Sequence, residues 1–422
     1  MKKHNHCLLL LLVCSCFVLS CINSLDSANT NKVYMLPPPQ SSPIPQIRTI
    51  TTTHRYDPGK MFGGWGPHLG HLLRAPDNIL WFADDTGNDV MKMPAIDYYH
   101  LVNNSWQLAG TLPTYGQVQQ NMGSVMKSNG IIHTYGVDIQ NHRIEECYFS
   151  TIQDYKACNL HSFPLDLQAN YIGAVISATD TIAVWWTNVR DGGGGTLEYM
   201  YNTGGGWSAP LKSDIAGYND LSYINAVFID STHLAMLAQG VSGVAPNWSY
   251  SALYTVAEMG KPITGWQLLG PAPTSGPVKS TNDIWVDKQK GVHVLASAVS
   301  GGTIYYWQPY GGPIYGGLAT IPSRYRARFV HATNSSNLFV VYDTSNKALA
   351  YYTVDTTKLA GQIPFASLAP QVIALPPDFG YVYALYPEAS TYQTGVTKDM
   401  NVAVNGDGNE GVVIHVVLSG SN

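Results

Sequence analysis

Arg324, Arg326 and Arg328 stand on alternate positions and make up three of the eight arginines in the chain. Alternate residues of an extended strand share a face, and a guanidinium fork takes a carboxylate bidentately. With Arg190 they form either a clamp for a uronic or sialic acid or a set of salt bridges to aspartates such as Asp343. A second group is the Gly/aromatic segment 62–71, which holds His68 and His71 just ahead of Arg74. Its histidines are candidates for acid/base work or metal ligation, although packing accounts for the glycines equally well. Asp84 and Asp85 are adjacent carboxyls, and such a pair splits into acid and base when one member is desolvated. Consecutive strand residues point to opposite faces, however, which argues against one shared site. Segment 405–411 sets oxygen ligands at alternate positions, with Asp407 and Asn409 as calcium candidates. It lacks the terminal acid of an EF-hand loop and reads first as a hairpin turn. No nucleophile elbow, P-loop, zinc motif or dinucleotide fingerprint occurs, so no resident cofactor is expected.

What must position these residues is a repeat of about fifty residues. Pairs of apolar or alternating segments are joined by small polar turns: 70–74 with 79–83, 123–127 with 131–137, 172–178 with 181–187, 224–229 with 232–238, 283–286 with 292–298, 326–331 with 337–342, and 400–404 with 411–418. Asn, Asp and Gly fill the turns because they tolerate positive φ. Most units add a Tyr-rich third strand, and several add a fourth that opens with a tryptophan, Trp106, Trp207 or Trp266. Four antiparallel strands per unit at this spacing make a β-propeller blade. The fold expected is therefore all-β: a single propeller of about seven four-stranded blades. The last unit stops after two strands, while 33–36 and 48–53 are strand-like without a unit of their own. Pairing strands from both chain ends in one blade closes the ring. Segment 362–393 fits the repeat poorly, which leaves six or eight blades open.

Ligands of propellers usually meet the face made by loops that lead into innermost strands and loops that leave second strands. That face receives His68, His71, Arg74, Tyr223, Asp283, Arg324, Arg326 and Arg328 from the first kind of loop or its strand, and Asp84, Asp85, Arg190 and Asp343 from the second. Only 12% of residues are charged, so this gathering on one rim is the main functional signal. Tyr and Trp faces there would stack on sugar rings.

The strand, Gly-rich turn and outer-strand Trp resemble the blades of sialidase-like (BNR-repeat) propellers. That resemblance implies the fold and admits glycan-active chemistry. The family's Asp-box is absent: Asn103-Asn104-Ser105-Trp106 and Gly204-Gly205-Gly206-Trp207 stand in its place, so the activity does not follow. Tyr-rich third strands followed by Gly-Gly-Trp also resemble fucose-binding lectin propellers. The reading is a propeller that binds a glycan or another extracellular ligand. The alternatives are a glycan-active enzyme, either a sialidase-like glycosidase or a polysaccharide lyase, and an envelope scaffold for protein partners.

The chain ends indicate export. Residues 1–21 combine a basic start with an apolar run of about a dozen residues, too short to span a bilayer. The run ends in Val18-Leu19-Ser20-Cys21, which resembles the lipobox of bacterial lipoproteins and implies lipidation at Cys21; an ordinary cleaved signal is the alternative. Residues 22–46 form a Pro/Ser-rich tether, and 47–422 form the propeller. Cleavage removes two of the 23 basic residues and none of the 28 acidic, which leaves a mature charge of about −7. With no basic stripe, nucleic acid is excluded as a partner; membrane contact is expected only through the lipid anchor, and the chain is expected to be a monomer. Four of the six cysteines lie in the signal, leaving Cys147 and Cys158 on two strand-like segments. An oxidising compartment permits their disulfide.

Overall fold

The computed structural model describes residues 47–418 apart from 57–70, 86–92, 104, 119–121, 139–142, 153–155, 162–168, 189–195, 215–217, 245–246, 271–277, 300, 323–326, 332–336, 344–347, 356–369, 376–381, 389–398 and 407–410. The chain divides between Pro43 and Ile44, and everything described lies in the second unit. Among the described residues there are 28 strands and no helix.

The N-terminal strand is β1 (Ile47–Tyr56). Blade one follows as β2 (Leu72–Arg74), β3 (Leu80–Asp85), β4 (Met93–Val102) and β5 (Ser105–Val118), and blade two as β6 (Gly123–Met126), β7 (Ile131–Asp138), β8 (Arg143–Ser150) and β9 (Lys156–His161). Blade three is β10 (Ala169–Ile176), β11 (Ile182–Asn188), β12 (Thr196–Asn202) and β13 (Leu211–Asp214). Blade four is β14 (Asp220–Phe228), β15 (His233–Val244), β16 (Asn247–Glu258) and β17 (Gln267–Leu268). Blade five is β18 (Val278–Val286), β19 (Val292–Ala298), β20 (Thr303–Gln308) and β21 (Tyr315–Ile321). Blade six is β22 (Ala327–His331), β23 (Asn337–Asp343), β24 (Ala348–Asp355) and β25 (Gln371–Ala374). The seventh takes β26 (Val382–Pro387), β27 (Asp399–Gly406) and β28 (Gly411–Leu418), with β1 as its outer strand. Blades one and two are joined at the pair Val118–Asp138 into one eight-stranded sheet; the other five sheets have four strands each.

The ring thus closes through both chain ends, with β1 antiparallel to β28 from Ile47–Leu418 to Tyr56–Gly411. One expectation shifts. Residues 400–404 and 411–418 are the second and third strands of the last blade, and the innermost strand is β26, inside the segment that fits the repeat poorly. His415 therefore lies on a third strand, whereas His133 and His293 lie on second strands. The expected strand at 33–36 falls outside the described residues.

Turn chemistry repeats with the blades. The turns after β2, β10 and β18 share one hydrogen-bond pattern, shown by Asn78 N–H to Ala75 O, Asp180 N–H to Ser177 O and Lys290 N–H to Asp287 O at 2.8–3.1 Å. Asn78, Asp180 and Lys290 sit there at φ of 60–69°, a region that Asn and Asp enter more readily than other non-glycine residues. Middle strands are covered on both faces by neighbouring blades, so they read as continuous apolar runs rather than alternating ones. Val292–Ala298 is buried along its whole length.

The apolar core is accordingly a set of inter-blade layers. Trp81 and Tyr98 of blade one meet Phe149 of blade two, with Tyr98 and Phe149 stacked at 4.4 Å. Tyr135 and Trp186 join blades two and three, Trp185 and Leu253 blades three and four, and Tyr254 and Tyr306 blades four and five. The third-strand tyrosines Tyr98, Tyr199, Tyr254 and Tyr306 are consumed here. The hydroxyl of Tyr98 donates to Thr134 Oγ1, that of Tyr199 to Lys261 O and that of Tyr306 to Gly270 O. Packing at the centre is tight as well, since a Cβ on Gly123 would lie 2.6 Å from the backbone nitrogen of Ala174 in the next innermost strand.

Cys147 and Cys158 form a disulfide between facing positions of β8 and β9. It closes a loop across 11 positions, so Cys147→Ser/Cys158→Ser should lose about 2–3 kcal/mol by the chain-entropy argument. Thermal unfolding of the variant beside reduced wild type checks this; equal midpoints for oxidised and reduced protein would contradict it.

Candidate functional site

The innermost strands of blades four, five and six carry polar groups that a propeller core does not require. β14 begins with Asp220 and breaks its ladder between Ser222 and Asn225. The break holds Tyr223 at φ 49°, an uncommon region for an aromatic residue. Asn225 is 3% exposed, and neither of its side-chain polar atoms has a hydrogen-bond partner among the described residues. The same is true of Asp220 Oδ1. Buried polar atoms normally find partners, so such exceptions point to ligand or solvent.

One strand further round, β18 carries Asp283. Its Oδ1 accepts the Ile284 N–H at 2.9 Å, and its Oδ2 accepts the Phe329 N–H of β22 at 2.8 Å. Burial pushes this carboxyl up to about 6, against the opposing pull of the Arg328 guanidinium and the two backbone N–H groups. Burial likewise pushes Asp220 up to about 6, opposed by the Leu221 N–H. Both aspartates are half-buried. Arg328 is 5% exposed and donates from Nη1 to Ala327 O. Asp283 thus sits beside a buried cation, with Asp220 on the adjacent innermost strand, an arrangement suited to proton transfer or to holding an anionic group.

Other expected residues occupy different surroundings. His71 is buried, and its Nδ1–H donates to Ala83 O at 2.8 Å. Burial lowers its pKa to about 4, only partly offset by that bond, so the imidazole is neutral at physiological pH. Arg74 grips Glu388 bidentately, with Nε and Nη2 at 2.6 and 2.8 Å from the two carboxylate oxygens. Glu388 directly follows β26 and makes a parallel bridge with Leu72, so this pair ties the last blade to the first. Asp84 is buried opposite Asp97 on β4, which accepts the Thr111 hydroxyl. Asp85 and Asp343 end β3 and β23, and their side chains lie outside the described residues. So do His68, Arg190, Arg324, Arg326, the Asp407/Asn409 loop and Cys21.

Other buried ionisable groups gather around His133 and His293, whose matching second-strand positions indicate a structural role. His133 Nδ1 and the Tyr135 hydroxyl both meet Glu146 Oε1, at 2.9 and 2.7 Å, while Trp207 Nε1 donates to Glu146 Oε2 from blade three. His293 lies between Asp287 and Tyr305, with Nε2 to Oδ2 at 3.0 Å and Nδ1 to the hydroxyl at 2.7 Å. Burial lowers the pKa of both histidines despite their carboxylate partners. These clusters are sealed between or within blades and read as structural. Asp220 and Asn225 were detectable in principle, as polar residues interrupting the apolar run of an innermost strand.

No protein-family model and no curated protein matches the sequence. Solved structures do. A polysaccharide lyase, the PL25 ulvan lyase, superposes with a TM-score of 0.56 at 11% identity over 85% of this chain and 94% of its own. Its complex with -[GlcA(1-4)Rha3S]- matches equally, at 0.56 and 10%. The GH93 α-L-arabinofuranosidase of Fusarium graminearum covers 87% of the chain at 9% identity, with a TM-score of 0.45. At 10–11% identity the likeness to the lyase shows the shared β-propeller fold.

Proposed function

We propose that this chain is an exported propeller, anchored through Cys21 or secreted, that takes an acidic glycan at the innermost-strand face of blades four to six. The observation that carries the reading is half-buried Asp283, whose Oδ2 accepts the Phe329 N–H of the arginine-rich strand of blade six beside Arg328, with Asp220 on the adjacent innermost strand. Arg324 and Arg326 lead directly into β22, where Arg328 already faces Asp283 electrostatically. A uronate or sulfate there would exchange hydration for bidentate guanidinium contacts.

A catalytic reading is favoured by one further observation, the likeness over most of both chains to a polysaccharide lyase. Elimination needs a group to neutralise the uronate carboxylate and a base for the adjacent carbon-bound proton; hydrolysis needs a carboxyl pair. Ionised Asp220 or Asp283 supplies a base at neutral pH, with arginine as neutraliser. Incubation with uronate polysaccharides separates the readings. Elimination yields an unsaturated, ultraviolet-absorbing product, hydrolysis yields only new reducing ends, and a pure lectin yields neither.

The binding reading has a pH signature. Below about pH 6 Asp283 is protonated and no longer offsets Arg328, so affinity for an anionic oligosaccharide should rise as pH falls from 8 to 5. One unit charge a few ångströms away is worth about 1–2 kcal/mol at a partly solvated site, or roughly tenfold. Asp283→Asn should flatten that dependence and raise the affinity at pH 8. Calorimetric titration at both pH values tests it; a wild-type affinity that falls on acidification would rule out this role for Asp283.

A further inference from the structure

On the face opposite Asp220 a cavity of about 380 Å³ opens between blades four and five. It lies at the turns that leave innermost and third strands, at the end of β14 away from Asp220, while Asp283 stands midway along β18. Its volume falls within the roughly 300–1,000 Å³ of small-ligand sites.

Ile229, Val256 and Val292 give the cavity an apolar side, and His233, Lys290 and Tyr310 give it a polar one. Val256 is 38% and Tyr310 54% exposed, so the cavity presents apolar and aromatic surface to solvent. The Tyr310 ring is held in place: its hydroxyl donates to Asp230 Oδ2 at 3.2 Å, and Lys290 Nζ sits 4.8 Å from its centroid. Lys290 Nζ is itself 3.6 Å from Asp230 Oδ2. Asp230 is anchored through Oδ1 by the Thr232 and His233 N–H groups at 2.8 and 2.9 Å. His233 Nδ1 also meets Asp230 Oδ1, leaving Nε2 as the remaining polar atom of that ring. Burial alone would raise the Asp230 carboxyl, yet these bonds hold it well below the usual carboxylate range.

The chemistry of the lining narrows the ligand. Lys290 and Asp230 cancel in charge, so the cavity has no excess cation for an anion. Lys290 Nζ and His233 Nε2 are the polar atoms that can meet sugar hydroxyls, and the immobilised Tyr310 ring matches the apolar face of a pyranose. The apolar side rewards a methyl group and penalises a hydroxyl that finds no partner. We infer that this cavity is a second binding site, for one neutral pyranose residue that carries a methyl group. The methyl has two sources, the C6 of a 6-deoxyhexose or an N-acetyl group. The inference is independent of the acidic-glycan reading, since the two sites share no residue and take one a neutral and the other an anionic ligand.

The test uses the full mature chain, titrated by saturation-transfer NMR with methyl α-L-rhamnoside, methyl α-L-fucoside and methyl N-acetyl-β-D-glucosaminide. The methyl glycosides of L-mannose, L-galactose and glucose, which share the aglycone methyl and lack only the C6 methyl or the N-acetyl group, serve as the counterparts. Saturable binding to at least one methyl-bearing sugar, about tenfold tighter than its counterpart, is expected, and which sugar binds identifies the source. Tyr310→Ala and Val256→Asp should each weaken that binding at least tenfold, while Arg324→Ala/Arg326→Ala leaves it unchanged. Both positions are exposed, and thermal midpoints report whether the fold is kept; if Tyr310→Ala lowers the midpoint, Val256→Asp decides. No saturable binding, equal binding of the counterparts, survival of binding in Val256→Asp, or its loss in the arginine variant would each overturn the inference.

Discussion

Glu388→Ala should lower the thermal midpoint by several degrees, more than a surface substitution can. Its carboxylate is the bidentate partner of Arg74 across the junction of last and first blades, with side chains only 17% and 11% exposed. Removing one partner of a buried pair leaves the other charge poorly solvated, at a cost of about 3–5 kcal/mol; residual exposure places this pair near the lower figure. The parallel bridge from Leu72 to Glu388 runs through the same junction, so weakening it loosens the contact between the innermost strands of the last and first blades. The double variant Arg74→Met/Glu388→Leu removes both charges together and should recover most of the loss. A Glu388→Ala midpoint within about one degree of wild type, against the two to four degrees per kcal/mol expected for large domains, would show that the pair does not hold the ring closed.

Arg324→Ala/Arg326→Ala should weaken binding of a uronate or sulfated oligosaccharide at least about a hundredfold. Hydrogen bonds to charged groups contribute roughly 1.5–3 kcal/mol each, and two of them account for about that factor. The variant should retain the wild-type thermal midpoint, because the substituted residues precede β22 and not its buried part. Lys at both positions separates charge from geometry: a point charge keeps attraction but loses the planar fork, so Arg324→Lys/Arg326→Lys should fall between the two. Isothermal titration with a defined acidic oligosaccharide reads all three proteins. An affinity unchanged in the alanine variant would remove these arginines from the site.

Much of the architecture was legible because hairpins advertise themselves locally. The paired segments with Asn, Asp or Gly at their turns correspond to β2–β3, β6–β7, β10–β11 and β14–β15, and the two strand-borne cysteines are bonded as their spacing suggested. Closure by both termini followed from the need to leave no open edge. The innermost strand of the last blade was not legible, since β26 ends in Pro387, lies within the segment that fits the repeat poorly, and has its partner β27 starting only at Asp399. Nor was Glu388, whose partner Arg74 lies 314 positions away. The tyrosine periodicity was visible but its meaning was not: a strand covered on both faces gives no alternation to tell a packing side from a ligand side. Tyr98, Tyr199, Tyr254 and Tyr306 face neighbouring blades. The charged rim resolves in part, with Asp283 and Arg328 brought together while Arg74 and His71 serve ring closure and packing.

The central claim is an acidic-glycan site on the innermost-strand face, and binding of the mature domain to a broad glycan array at pH 5 and pH 8 tests it most directly. Signals on uronate-bearing or sulfated glycans that strengthen at pH 5 and vanish in Arg324→Ala/Arg326→Ala are expected. Signals confined to neutral glycans, or none on any acidic glycan at either pH, would contradict it.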